Sequence, residues 1–268
     1  AALMLPDQDS DPASEALARQ VAAHCGVEPL REEVTPALVG FGCYTRRDEA
    51  IRRIFPEYDP AAGYKAKLIL PQNLLDEDTL NFFSVAIVSP GGEEKSKRLP
   101  RAEYLQIVAA SNFKQRSRMA MLYYHAESRN FAVIGTSNKN EHDQGFIVKY
   151  GDGGVDVQPI AHLYKTQVYQ LAEYLDIPAD IRRRTPTSDT YSAHQTQEEF
   201  FFRLPFEVMD VLWYAQAHQL PVSEVAGAMD LTEAQVQRAF DDFAAKQRTT
   251  EYLRTPALYF GREEANQI

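Results

Sequence analysis

The chain has 268 residues, 44% of them hydrophobic, and a formal net charge of −10. Such a length and composition suit one large domain with a buried core, and the acidic balance argues against general nucleic-acid affinity. No apolar run approaches the ~20 residues of a membrane helix, and the only cysteines, Cys25 and Cys43, form neither a disulfide framework nor a zinc set. A reducing cytoplasm is the expected compartment.

Ala1 to Pro6 reads as the end of a buried strand. Ser14 is placed to cap a helix from Glu15 to Cys25, with Ala16, Leu17, Val21 and Ala22 as its apolar stripe. Glu28 to Val34 reads as a second strand, and Thr35-Pro36 as the cap and first position of another helix. Strand–helix–strand–helix at this spacing is the rhythm of a parallel α/β sheet. Residues 37–100 depart from it. Gly42 to Arg53 reads as a basic helix, Ala66 to Leu70 and Phe82 to Val88 as strands, and Pro90-Gly91-Gly92 as a turn before the charged Glu93 to Arg98. An inserted hairpin or flap is expected here, its arginines either gripping a phosphate or forming a solvated face.

Arg101 to Arg129 has helical spacing through Tyr104, Ile107, Val108, Met119, Leu122 and Tyr123, interrupted by Asn112, Arg116 and Arg118. The apolar run Phe131 to Ile134 then stops at Gly135-Thr136, as a buried parallel strand ends in a polar loop. That loop, to Glu141, offers a hydroxyl, amides, a lysine and a carboxylate; in α/β sheets ligands bind beyond such strand ends. A second loop, Lys149 to Asp156, sets three glycines among two aspartates and a lysine. The pair reads as an anion- and metal-tolerant site, or else as solvated turns with an N-cap. Leu163 to Leu175 reads as an amphipathic helix with Lys165 in its first turn, where a cation opposes the helix dipole unless a phosphate sits there too.

Arg182-Arg183-Arg184, before Thr185-Pro186-Thr187, suits a solvated helix end as well as a ligand. From Glu198 to Gln247 the pattern is helical, with a dense apolar cluster, Phe200 to Trp213, that suits a core or a dimer contact. The helix pair in Leu220 to Lys246 resembles a helix-turn-helix but lacks a basic face, so a structural pairing is expected.

Taken together, Asn112-x-x-x-Arg116-x-Arg118-Met119, Gly135-Thr136-x4-Glu141, Lys149-Tyr150-Gly151-Asp152-Gly153-Gly154-x-Asp156, Lys165 and Pro186-Thr187 closely resemble the NAD synthetase family of the adenine nucleotide α-hydrolase group. The resemblance covers residues 104–190 best. It implies a doubly wound, mainly parallel α/β sheet in one synthetase domain over 1–268, with the 37–100 insertion and a C-terminal helical segment at 198–268. It also implies ATP and Mg2+, with ATP adenylating the carboxylate of deamido-NAD before ammonia displaces AMP. Carried over residue by residue, Thr136, Lys165 and Thr187 hold ATP, and Glu141 binds the metal. Arg116, Lys149 and Asp156 hold the acid substrate, while Asp152 and Lys149 serve the chemistry, Asp152 by holding ammonium or taking its proton. A homodimer is implied as well. No amidase pattern is read in these residues, so the nitrogen is expected as free ammonia or from a separate supplying protein.

Two departures qualify the resemblance. The family's Ser-Gly-Gly-x-Asp-Ser pyrophosphate loop does not occur in these residues, so a segment upstream of Ala1 is expected; the other reading is a non-catalytic homologue lacking the loop. Tyr252 and Leu253 stand where the family has His and Lys, which leaves amidation of a different carboxylic acid open.

Overall fold

A parallel β–α–β unit opens the chain. In the computed structural model, which describes residues 1–72, 74–77 and 81–259, β1 (Ala2–Met4) pairs in parallel with β2 (Pro29–Arg31) through α1 (Pro12–His24). The helix begins earlier than expected. Asp11, not Ser14, is the cap: its carboxylate accepts the Ala13 N–H at 2.9 Å, and Pro12 takes a first-turn position where an N–H is unpaired anyway. Of β1 only Met4 is buried, so it is a shallower strand than its composition suggests. Thr35 is the first residue of α2 (Thr35–Gly40) and not its cap, which falls to the Val34 backbone.

The stretch expected as an inserted hairpin or flap folds as a packed antiparallel layer. After α3 (Cys43–Ile54) come β3 (Lys65–Ile69), β4 (Ser84–Val88) and β5 (Glu94–Arg98), an antiparallel sheet in that order with Ala66 opposite Ile87 and Val85 opposite Lys97. Leu68, Val85 and Ile87 pack against Ile51 and Phe55 of the α3 segment and Ile107 of α4 (Arg101–Glu127). Each such side chain contributes about 1.5–3 kcal/mol on burial. β5, the open edge, is exposed at every position and alternates Glu, Lys and Arg with one Ser. Residues 73 and 78–80 of this insertion lie outside the described residues.

Three of the four α3 arginines have side-chain partners within the chain. Arg47 is buried and donates to Asp9 and Asp48, Arg52 donates to the Tyr58 carbonyl, and Arg53 pairs with Glu103. Arg47 belongs to an ion network centred on Lys114, itself 2% exposed. The Lys114 Nζ donates to Asp7 Oδ1 at 3.2 Å, Asp9 Oδ2 at 2.5 Å and the Thr190 carbonyl at 3.0 Å; Arg118 reaches Asp7 Oδ2 at 2.7 Å. Burial alone would raise the Asp9 carboxyl, but Arg47 and Lys114 outweigh it and hold it below the usual range. The network pins the loop after β1 and the loop before Tyr191 to one turn of α4.

Phe131 to Ile134 is also less of a strand than expected. A single parallel bridge joins Ile134 to Val157; Val133 is buried, whereas Phe131 and Ile134 are more than half exposed. The short helix α5 (Lys139–Gln144) follows, then α6 (Lys165–Tyr174) and α7 (Ala179–Arg182). One π-helical turn (Glu198–Phe202) leads into α8 (Phe206–Ala217), α9 (Val222–Met229) and α10 (Glu233–Arg254). Phe202, Phe206, Met209, Leu212 and Trp213 form a core with Val236 and Phe243 of α10, so the aromatic cluster is spent inside the chain. α9 packs Val225 and Ala226 into that same core, a structural helix pair. The expected C-terminal segment runs beyond the described residues from 260 onward. No helix among the described residues is long and apolar enough to cross a membrane.

Candidate functional site

The first loop is rigid because it ends in a capping box. Asn138 Oδ1 accepts the Glu141 N–H at 3.1 Å, and Glu141 Oε2 accepts the Asn138 N–H at 3.0 Å. Among the described residues, the other Glu141 oxygen has only long contacts, to Gln197 Nε2 at 3.4 Å and Lys165 Nζ at 3.8 Å. One carboxylate oxygen is thus fixed by the backbone, and the other faces a cation with lone pairs to spare.

Lys165 opens α6, whose N-terminus is already occupied. Asn140 Oδ1 accepts the Lys165 N–H at 3.1 Å, and Asp210 Oδ2 accepts the Thr166 N–H at 2.8 Å, while the Asn140 amide donates to Asp210. These side chains fill the place a phosphate would take on those N–H groups, leaving the Lys165 ammonium as what α6 offers an anion. Thr187 forms an antiparallel bridge with Thr196, one residue before Gln197. Of the triple arginine, Arg182 donates to the Ile177 carbonyl and Arg184 to Asp11, which settles the segment as structural at those two positions.

The second loop folds against α4. A Cβ on Gly151 would stand 2.9 Å from that of Gln115, so only glycine lets the turn come this close. Asp152 then accepts the Val148 N–H at 2.6 Å. Its side chain is reachable by water yet surrounded by protein where two cavities meet. This desolvation pushes its carboxyl up to about 6, with the Glu141 charge adding to the rise and backbone N–H bonds opposing it.

The acid-substrate candidates lie elsewhere and already have partners. The Lys149 ammonium donates to the Tyr252 carbonyl at 2.9 Å and the Thr255 carbonyl at 2.7 Å. Arg116, exposed, donates from Nε to the Lys149 carbonyl at 3.2 Å. Asp156 accepts the Val133 N–H at 2.8 Å and the Tyr123 hydroxyl at 3.0 Å. In this form of the chain these groups brace the second loop against α4, α10 and the bridge at Ile134.

Two cavities flank the loops. The first, about 1230 Å³, lies between β1 and the Val133–Thr136 segment. The second, about 980 Å³, is walled by one face of α4, Leu68 of β3 with the flanking Leu70 and Phe83, the π-helical turn and α10. Thr136, Gln115 and Asp152 line both, and Glu141 lines the second. The site residues therefore divide. Thr136, Glu141 and Asp152 share the lining of the second cavity, whereas Lys165, whose Nζ is 3.8 Å from Glu141, and Thr187, Arg116, Lys149 and Asp156 line neither cavity.

Several residues here escape sequence reasoning. Asn140 and Asp210 are polar but fully buried, and Lys114 looks like one more surface lysine on a helix. A polar residue inside an apolar run, as Asp210 is between Met209 and Leu212, was the available signal. Tyr252 and Leu253 both line the second cavity. Among the described residues, no three His, Cys, Asp or Glu side chains gather as a metal cluster.

Comparison with known proteins agrees with the motif. The model of the family NAD synthase matches residues 80–256. The NH3-dependent NAD+ synthetase of Rhizobium meliloti (strain 1021) is 50% identical over 251 residues, covering 94% of this chain and 74% of the relative. The protein of the same name from Mesorhizobium japonicum is 47% identical over 256 residues, covering 96% and 79%. Among solved structures, the NH3-dependent NAD synthetase of Campylobacter jejuni superposes with a TM-score of 0.55 at 19% identity, over 96% of this chain and 76% of that one, which shows a shared α/β fold. Family match, long near-half identity and fold agree, and the chain belongs to the NAD synthase family.

Proposed function

We propose that the chain joins ammonia to the nicotinate carboxylate of deamido-NAD at the expense of ATP, giving NAD, AMP and pyrophosphate. The observation that carries the reading is the second cavity: Thr136, Glu141 and Asp152 all line it, in a chain half identical to an NH3-dependent NAD+ synthetase. A carboxylate does not accept ammonia unaided, because its oxygen is a poor leaving group. In the first step a carboxylate oxygen attacks the α-phosphorus of ATP, the bond to pyrophosphate breaks, and an acyl-adenylate forms. In the second the ammonia lone pair attacks the acyl carbon, its proton leaves to a base, and the C–O bond to AMP breaks.

Asp152 is our candidate for that base. A carboxyl pushed up to about 6 holds ammonium when ionised and accepts its proton more readily than an ordinary aspartate. Thr136 and Lys165 supply a hydroxyl and an ammonium for phosphate oxygens, and Thr187, bridged to Thr196, is read as a second hydroxyl. Glu141 is suited to Mg2+, which takes one or two carboxylates and completes its shell with phosphates and water; its second oxygen has only the long contacts to Gln197 and Lys165. The ion would offset phosphate charge. Arg116, Lys149 and Asp156 are read as the acid-substrate set, which requires the loop they brace to exchange partners on binding.

The reading includes one synthetase domain over 1–268, a doubly wound parallel sheet, a cytoplasmic homodimer, and ammonia taken free or from a separate protein. The parallel β1–β2 pair and the parallel bridge at Ile134 support the sheet. A second reading, amidation of another carboxylic acid, has in its favour the uncharged Tyr252 and Leu253 in the cavity wall. The test is the full-length protein with magnesium, ATP, ammonium and deamido-NAD. NAD and AMP should appear together, and Glu141→Gln, which keeps the capping box but removes the charge, should abolish both. ATP binding without NAD formation would move the assignment to another acid.

A further inference from the structure

We infer that Gln197 is a second protein ligand to the magnesium ion, offering its side-chain amide oxygen beside the free carboxylate oxygen of Glu141. The inference rests on the reading of Glu141 as the metal residue. Both side chains line the second cavity with Thr136 and Asp152, although 56 residues separate them in the chain. The backbone holds Gln197 in place. Its N–H donates to the Pro186 carbonyl at 2.9 Å, and its neighbour Thr196 bridges Thr187. The Thr196 hydroxyl also accepts the Glu199 N–H at 3.0 Å, at the start of the π-helical turn. Gln197 is thus tied to the loop that carries Thr187, a residue read above as an ATP contact.

The two ends of the amide are in different situations. Nε2 faces Glu141 Oε1 at 3.4 Å, longer than a strong bond from N–H to a carboxylate. Oε1 is buried and meets no hydrogen-bond donor among the described residues. Folded proteins keep few buried carbonyl groups in that condition, because the water they gave up is not replaced. Lys165 Nζ stands 3.8 Å from the same Glu141 oxygen, beyond hydrogen-bond reach, so neither neighbour saturates it. One anionic oxygen and one neutral oxygen, both short of donors, are what a hard divalent cation takes. Mg2+ binds few protein groups and fills the rest of its shell with water and phosphates, which this cavity has the room to admit.

Binding of Mn2+ to the full-length protein, read as loss of the free ion's electron paramagnetic resonance signal, tests this without turnover. Gln197→Met keeps the length of the side chain and removes both polar atoms. It should raise the Kd for Mn2+ about tenfold, the loss of one oxygen contact to a charged group. Its urea midpoint should not fall, because an unpaired buried oxygen goes with the amide. Gln197→Glu returns an oxygen to the position and adds charge, so it should bind Mn2+ at least as tightly as the wild type. That variant decides the matter if Gln197→Met does not fold. An unchanged Kd in Gln197→Met overturns the inference, and so does a Kd in Gln197→Glu raised well above the wild-type value. A wild-type protein that binds no Mn2+ overturns it as well. The functional reading fails separately: a wild type that binds Mn2+ through Gln197 and forms no NAD keeps the ligand and loses the reaction.

Discussion

Asp152 sits in the folded chain with a carboxyl near 6 against an ordinary 3.8, and two consequences of opposite sign follow. For stability, the native state holds this proton more tightly than the unfolded chain does. The group therefore contributes stability below about 3.8 that is lost as pH rises through about 6. For catalysis, the base must be ionised, so turnover should climb through pH 6. Asp152→Asn should lower kcat by about 10²–10⁴ and abolish that limb of the pH profile, read at saturating ammonium. Lys149 makes the contrasting case. Lys149→Met should loosen the end of α10, seen as faster hydrogen exchange over residues 250–256, because two backbone carbonyls lose their donor. Thr136, Glu141 and Asp152 could be singled out by their resemblance to a family motif, and folding brings the two loops that carry them to one cavity. The setting of Lys149 was not legible in the sequence, since its partners at Tyr252 and Thr255 lie far along the chain and only tertiary folding delivers them.

At the level of the elements, buried polar groups fix the frame around the site. Asp210 joins α8 to the first turn of α6 and to Asn140 in α5. Asp210→Ala should lower stability by about 2–4 kcal/mol, combining a lost helix cap with a buried amide left without its acceptor; the urea midpoint reads this. Lys114→Met leaves Asp7 and Asp9 buried with less compensating charge, and should lower stability by about 3–5 kcal/mol. Its effect should reach the loop at Thr190, whose carbonyl accepts from Lys114. Helices with a 3.6-residue pattern, such as α6, were readable to within a residue or two of their ends. The start of α1 was displaced because Asp11-Pro12 is a stronger opening than Ser14. Phe131 to Ile134 has the composition of an inner strand, but bridges only Val157 and faces the first cavity on its other side. The packing of the β3–β4 layer on α3 and α4 could not be read from spacing at all, because it joins segments with no local signal for each other.

For the whole molecule, the aromatic run at 200–213 no longer argues for assembly, since Phe202, Phe206 and Trp213 are consumed in the core with α10 and Phe200 and Phe201 line the second cavity. A dimer then draws on surfaces outside that run, and light scattering at micromolar concentration should still give twice the chain mass. A single-chain mass would leave the site to be completed within one subunit. The inserted sheet has a further bearing on the protein as a material. Its outermost strand, β5, ends the ladder with a row of charged side chains, so like edges repel before their backbones can pair. Replacing Lys95 and Lys97 with Val and Thr would leave the cavities untouched and the dilute enzyme active. Concentrated solutions of that variant should turn turbid on warming, as bare edges find one another and stack.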